Sequence, residues 1–312
     1  MSAMKPADAR VPELAVAESG AMDPVHAGVG FWKDAGRRML KSRQSVVGAL
    51  LLVIIAFASL VGPYFTPYSN EGQNLERQLE PPSLDHPFGT DLAGRDMLTR
   101  VLYGGRLSLA VGLVATVVSL LIGVTWGAVA GYKGGDVDNA MMRFVDMLYS
   151  LPFMFFVILL VAYFGRNLIL LFLALGAVQW LTMSRIVRGQ MIQLRGQEFV
   201  HALVALGVGN SRIIFRHMIP NLLGPIIVYA TLTVPAVMLE EAFLSFLGLG
   251  VQPPNSSWGL LAAEGASSIT ALKTSWWLIT FPGLALGLTL FSLNFLGDGL
   301  RDALDPRMRG RS

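Results

Sequence analysis

Reactive chemistry needs nucleophiles, acids, bases or metal ligands at workable spacings, and this 312-residue chain lacks such constellations. Its four histidines, His26, His86, His201 and His217, are scattered without metal-ligand spacing. There are no cysteines, which excludes disulfides, thiolate metal sites and cysteine nucleophiles. A phosphate-cradling loop needs Gly-Lys followed by Ser or Thr, yet none of Lys5, Lys33, Lys41, Lys133 and Lys273 follows a glycine. Neither a GxSxG nucleophile elbow nor an HExxH helix occurs. An intrinsic enzyme is not expected, and no cofactor is expected on this chain.

What the residues offer instead is a contact surface. Segment 198–221, EFVHALVALGVGNSRIIFRHMIPN, is polar and basic but lies between two long apolar runs. It has the layout of two short helices joined at Gly207, with Asn210 or Ser211 placed to cap the second. A helix over 197–206 sets Phe199, Leu203 and Leu206 at spacings of four and three, which makes one apolar stripe. A mere connector can be shorter and less regular, so this one is expected to touch something. The stripe suits the groove of a protein partner or, alternatively, the headgroup layer of a membrane. Arg195, Arg212 and Arg216 suit an acidic protein surface or lipid phosphate.

The elements that must hold this segment are membrane spans. The chain is 53% hydrophobic and 14% charged, with a mean hydropathy of +0.55; soluble proteins carry roughly 25% charged residues. A bilayer core needs about 20 apolar residues of helix. Six segments qualify, at 46–64, 107–131, 145–164, 167–184, 222–240 and 276–297. The first starts too far from the chain start for a cleaved leader and reads as an anchor behind a disordered tail over 1–32. With six spans both ends share one side, and 18 of the 24 Lys and Arg fall there. The positive-inside rule then puts both termini and loop 185–221 in the cytoplasm. Segments 65–106 and 241–275, rich in Pro, Gly and acidic residues, are left to form an external cap or gate.

Within the spans ionisable side chains are almost absent, which argues against a proton- or sodium-driven carrier and against a selective ion channel. Ahead of the second span Asp91 and Asp96 alternate with Arg95 and Arg100, and Asp96 and Arg100 have the spacing of a helical ion pair. These residues form either a structural helix leading into the span or a contact for an external protein. Glu240 and Glu241 end the fifth span; they either attract a cationic ligand at the pore mouth or fix the following turn, for instance by pairing with Lys273. FLSFLGLG, which includes Phe246, reads as a short re-entrant gate. Pro152 kinks or starts the third span, whose aromatic residues Phe153, Phe155, Phe156, Tyr163 and Phe164 mostly face lipid or pack on helices. Gly123, Gly127 and Gly131 form a repeated G-x3-G suited to close helix packing.

The 198–221 segment resembles the E-A-A-x3-G-x9-I-x-L-P loop of permease subunits from bacterial ATP-binding-cassette importers. His201, Ala202 and Leu203 stand at the E-A-A position, Gly207 at the glycine and Pro220 at the proline, with His217 and Ile219 at the Ile and Leu. His201 replaces the acidic residue, and nearby Glu198 can stand in for it. HPFGTDLAGRDMLTRVLYGGRLSLAVG, FLSFLGLGVQPPNSSWG and LGDGLRDALDPRMRG are similar to hallmarks of the peptide and nickel branch. LPFMFFVILLVAYFGRNLILLF and LTMSRIVRGQ look closest to oligopeptide permease C subunits.

The resemblance covers 33–310 and implies an all-α membrane protein of six transmembrane helices with the type I (MetI-like) importer permease fold. It divides the chain into the tail 1–32, an anchor helix and external loop 33–106, a core 107–300 and a cytoplasmic tail 301–312. The core contains coupling loop 185–221 and gate loop 241–275. It further implies a heterodimer with a homologous permease, two ATPase subunits that bind ATP and Mg, and an extracytoplasmic peptide-binding protein. Lipid surrounds the assembly and no nucleic acid takes part. The ATPase-coupling set is then Glu198, Phe199, His201, Ala202, Leu203, Gly207, Arg212 and Pro220; the gate or binding-protein set is Asp91, Arg95, Asp96, Glu240, Glu241 and Phe246. The expected cargo is oligopeptide, with dipeptides, nickel chelates, glutathione or murein peptides as alternatives. An autonomous secondary carrier is the rival of another class.

Overall fold

The computed structural model describes residues 31–165, 167–268 and 275–304. Among them the regular elements are helical, and strand-like pairing is confined to an isolated bridge between Thr90 and Asp96. Helix α1 (Phe31–Lys41) meets α2 (Arg43–Val61) at Ser42, whose hydroxyl accepts from the Ser45 N–H as an N-cap. An irregular cap segment follows, and then α3 (Met97–Lys133), a 37-residue helix. At 1.5 Å per residue α3 is about 55 Å long, so the expected span over 107–131 is the middle of a helix that outruns the bilayer core.

Helices α4 (Gly135–Tyr149) and α5 (Phe153–Phe164) stand where a single third span was expected, bent by 81° at their junction. Pro152 starts α5 and does not merely kink a continuous helix. Neither part alone has the length of a span; among the described residues five helices are long and apolar enough to cross a membrane, or six spans if the bent pair counts as one. Next come α6 (Leu168–Arg195) and α7 (Glu198–Ala205), then a broken segment. That segment consists of the single turns α8 (Asn210–Arg212) and α9 (Ile219–Asn221) on either side of a π-helical stretch, Ile213–Met218. The chain closes with α10 (Leu223–Phe246), α11 (Trp258–Ser267) and α12 (Trp277–Leu304).

Two helix pairs carry the assembly. Helices α3 and α6 pack along their lengths because Gly123, Gly127 and Gly131 remove side chains from the contact. A Cβ at Gly123 would lie 2.6 Å from Met183 Cβ, and one at Gly131 2.7 Å from the Arg188 carbonyl oxygen. Helices α2 and α12 approach in the same way, with Gly48 against the Ser292 carbonyl.

At the cap end, Trp258 and Trp277 anchor α11 and α12. Trp258 Nε1 donates to the Val101 carbonyl at 2.9 Å, and Trp277 Nε1 donates to that of Thr90 at 3.1 Å. Each buries a large apolar ring while satisfying its N–H. Helix α10 runs past the expected end of its span to Phe246, so Glu240 and Glu241 lie inside it and do not terminate it. The FLSFLGLG segment is therefore the last turn of α10 and a reversal at Gly248 (φ +74°) leading towards α11, not a separate re-entrant element.

Candidate docking site on the elbow between α6 and α10

The α7 sequence explains how one short helix is both anchored and presented. Val200 is buried and Leu203 half-buried in the cluster built by Met183, Val187 and Met191 of α6, Ala128 of α3 and Ile213, Ile214 and Met218 of the π stretch. The opposite side leaves Glu198, Phe199, His201, Ala202 and Leu206 exposed. Phe199 is 37% and Leu206 79% accessible, and Val204 and Phe215 extend the outward apolar surface. The stripe expected from sequence thus splits, with Leu203 turned towards the protein and Phe199 and Leu206 left open. A helix with one apolar side seated and another free has the form that peptide-docking helices take.

Gly207 ends α7 in the left-handed region at φ +72°. Its N–H donates to the Val204 carbonyl at 2.9 Å, and that of Val208 reaches back to Leu203 at 3.1 Å. This pair of bonds is the Schellman arrangement, and Val208 packs with Leu203 in the same cluster, as that arrangement favours. The expected cap of the second helix is not formed. Gly209 holds the N-cap position of α8 without a side-chain bond, while Asn210 Oδ1 instead accepts from Tyr132 Oη at 3.1 Å. Arg195 Nη1 donates to the Tyr132 carbonyl at 3.0 Å, so the elbow is tied to the end of α3 from both sides.

Pro220 sits where an α-helix would have to do without an N–H and fit the ring against the preceding turn. The π stretch before it widens that turn, and Asn221 Nδ2 donates to the His217 carbonyl at 2.6 Å. Arg212 and Arg216 remain exposed beside Phe215.

The second expected set is divided by the structure. In the cap, buried Asp91 accepts from Arg95 Nε at 2.7 Å and Arg100 Nη1 at 2.6 Å, and Arg100 also holds Glu264 at 2.7 Å. Asp96 does not pair with Arg100. It is the N-cap of α3, taking the Thr99 N–H at 2.8 Å, and its other oxygen meets His86 Nδ1 at 2.9 Å. Asp91 and Asp96 are too enclosed to meet a second protein directly, which favours the structural reading for both.

In the helical body, Glu241 is buried and accepts from the hydroxyls of Ser245 at 2.7 Å and Ser257 at 2.8 Å, pinning the turn between α10 and α11. Glu240 accepts from Gln179 Nε2 of α6 at 2.7 Å. Phe246 is exposed at the end of α10. Lys273 and Arg166 lie outside the described residues.

Residues 123–310 match the family described as binding-protein-dependent transport system inner membrane component, and 30–82 match the N-terminal TM domain of oligopeptide transport permease C. The oligopeptide transport system permease protein OppC of Haemophilus influenzae is 48% identical over 284 residues, 90% of each chain. Its Escherichia coli K12 counterpart is 48% identical over 90% of this chain and 93% of its own. The dipeptide transport system permease protein DppC of Bacillus subtilis is 46% identical over 90% and 87%. This chain belongs to that inner membrane component family. It is thus a non-catalytic permease component, embedded in the membrane by its helices.

Several of this permease's organising residues gave no linear signal. Glu264 completes the Arg100 pair from 164 positions away, and Tyr132 reaches the elbow from the end of α3. Gln179 alone carried a hint, being a carboxamide in an otherwise apolar stretch of α6.

Proposed function

We propose that the chain is the transmembrane permease subunit of an ATP-driven importer of oligopeptides delivered by an extracytoplasmic binding protein. It pairs with a homologous permease in lipid, and two ATPase subunits, which alone bind ATP and Mg, dock on the elbow. The termini and the elbow face the cytoplasm, where the Lys and Arg excess lies. The carrying observation is α7 itself: it is seated on α6 by Val200 and Leu203, locked by the Gly207 turn, and left open at Phe199, Ala202 and Leu206. Arg212 and Arg216 complement an acidic rim, while His201 leaves Glu198 as the acidic group nearest the docking face. The cap, with half-buried Arg95, and the exposed end of α10 at Phe246 receive the binding protein.

The absence of cysteine makes the test clean. Ala202→Cys introduces a single thiol on the exposed face, and a short bifunctional crosslinker in native membranes should join it to an ATPase subunit. The same thiol placed at Tyr64, exposed at the opposite end, should not. Failure of Ala202→Cys to capture an ATPase in an assembled, transporting complex refutes the docking assignment. The dipeptide relative at 46% identity supports a second cargo reading. Uptake of dipeptides with no uptake of three- to five-residue peptides would establish it over the first.

A further inference from the structure

An ionisable side chain inside a membrane span is costly and marks function unless its partners are found. Helix α10 carries two. Glu241 is accounted for by the Ser245 and Ser257 hydroxyls. Glu240 is not, because Oε1 accepts from Gln179 whereas Oε2 is buried and has no hydrogen-bond partner among the described residues. Such an oxygen forfeits its hydration without return, and it persists only where something else supplies the bond.

Glu240 lines a cavity of about 340 Å³ between α6, α10 and the α4–α5 bend, together with Tyr149, Pro152, Phe156, Gln179 and Thr182. Gln179 is eleven residues into α6, about 17 Å along the helix and so near the middle of an apolar layer about 30 Å thick. The nearby cations are committed elsewhere. Arg185 pairs with Asp146 at 2.7 Å and lies over the Tyr149 ring, and Arg188 is held by both oxygens of Asp138. An acid steadied on one oxygen, free on the other and set among aromatic faces is built for a small organic cation.

We propose that Glu240, oriented by Gln179, receives the terminal α-ammonium group of a peptide in transit. This rests on the peptide-importer reading above. Peptide side chains vary from cargo to cargo, but the ammonium end does not, so one carboxylate serves all of them. The cavity has the size of a small ligand pocket and admits a peptide terminus better than a whole oligopeptide. One charged contact among apolar walls binds enough to admit the peptide and lets it leave.

The test uses the full importer in proteoliposomes with its ATPases and binding protein. It compares trialanine with N-acetyl-trialanine, each at concentrations saturating the binding protein. The wild type should carry the free-amine peptide faster, on the order of tenfold for one charge-assisted bond. Glu240→Gln should bring that ratio close to one by slowing trialanine, and Glu240→Asp should restore part of it. A wild-type ratio near one, a ratio unchanged in Glu240→Gln, or equal loss of both peptides in an assembled Glu240→Gln complex overturns the proposal. Should Glu240→Gln fail to copurify with the ATPases, Gln179→Leu is read in its place, and an unchanged ratio there overturns it equally. Wild-type vesicles that carry neither peptide refute the parent reading, an outcome visible before any variant is compared.

Discussion

Gly207 isolates the mechanical part of the elbow in a single atom. Its φ of +72° lies where an L-residue is strained, and a Cβ built there finds nothing within 4 Å. Gly207→Ala therefore adds backbone strain without any clash, about 1–2 kcal/mol. The chain can escape only by leaving that conformation, which breaks the Gly207–Val204 and Val208–Leu203 bonds, each worth about 1 kcal/mol net. Either route raises the opening of the α7 terminus by roughly 5- to 30-fold. Gly209 supplies the matched control: it is two residues away and equally open, but its φ of −62° suits any residue.

Amide hydrogen exchange should show the difference directly. In Gly207→Ala the amides at 207 and 208 should exchange about tenfold faster, with α3 and α6 unchanged. Gly207→Asn should fall between Ala and wild type, because Asn tolerates the left-handed region. In the assembled importer, Gly207→Ala should lower uptake while ATP hydrolysis continues, and Gly209→Ala should alter neither. Wild-type exchange in Gly207→Ala, or equal damage from Gly209→Ala, refutes the claim that this turn stiffens the elbow.

Two further perturbations test the frame on which the elbow sits. A Cβ at Gly127 overlaps the Ser184 carbonyl, so Gly127→Leu should wedge α3 from α6 and cost about 1–3 kcal/mol or block folding, whereas Gly189→Ala, on an open part of α6, should be silent in thermal unfolding in detergent. Asp91→Asn leaves the buried Arg100 guanidinium with Glu264 as its remaining carboxylate and should cost about 3–5 kcal/mol, while Glu264→Gln should cost less, because its side chain is 28% accessible and Asp91 stays in place. A reversed ranking of those two unfolding temperatures would refute the assignment of Asp91 as the centre of the cap.

The residues that sequence reasoning placed well obey local rules. The G-x3-G run fixes where α3 meets α6, and the glycine between two short amphipathic stretches fixes the turn at 207. The readings that changed were decided by competing bonds. Asp96 and Arg100 have ion-pair spacing, but an N-cap lies outside the first helical turn and its carboxylate folds back on the Thr99 N–H. Asn210 has a capping side chain, but Tyr132 takes its oxygen. Residues 145–164 are mostly apolar, and hydropathy does not register the bend; Pro152 does, by excluding helical backbone from the residue before it. Glu240 and Glu241 looked like a span end because charge usually marks one. Partners from α6 and from the turn before α11 let both sit further in.

The distribution of fixed and open contacts implies where motion enters. At the cap, Asp91, Arg95, Arg100 and Glu264 bind neighbouring segments through buried and half-buried charges, Asp96 and His86 add a buried hydrogen bond, and a network of that kind resists sliding because each move leaves polar groups unpaired. At the elbow, α7 rests on α6 through apolar side chains, while Arg195 before it and Asn210 after it are tied to the end of α3. Glycines lock α3 and α6 to each other along the intervening length. A push on the open face of α7 is therefore delivered to the α3–α6 pair as a unit, and that unit carries Gln179, the residue that holds Glu240. The loosely bordered neighbour of that residue is the α4–α5 bend, which forms the other wall of the same cavity. Displacement at the elbow is thus expected to reach the cavity before the cap.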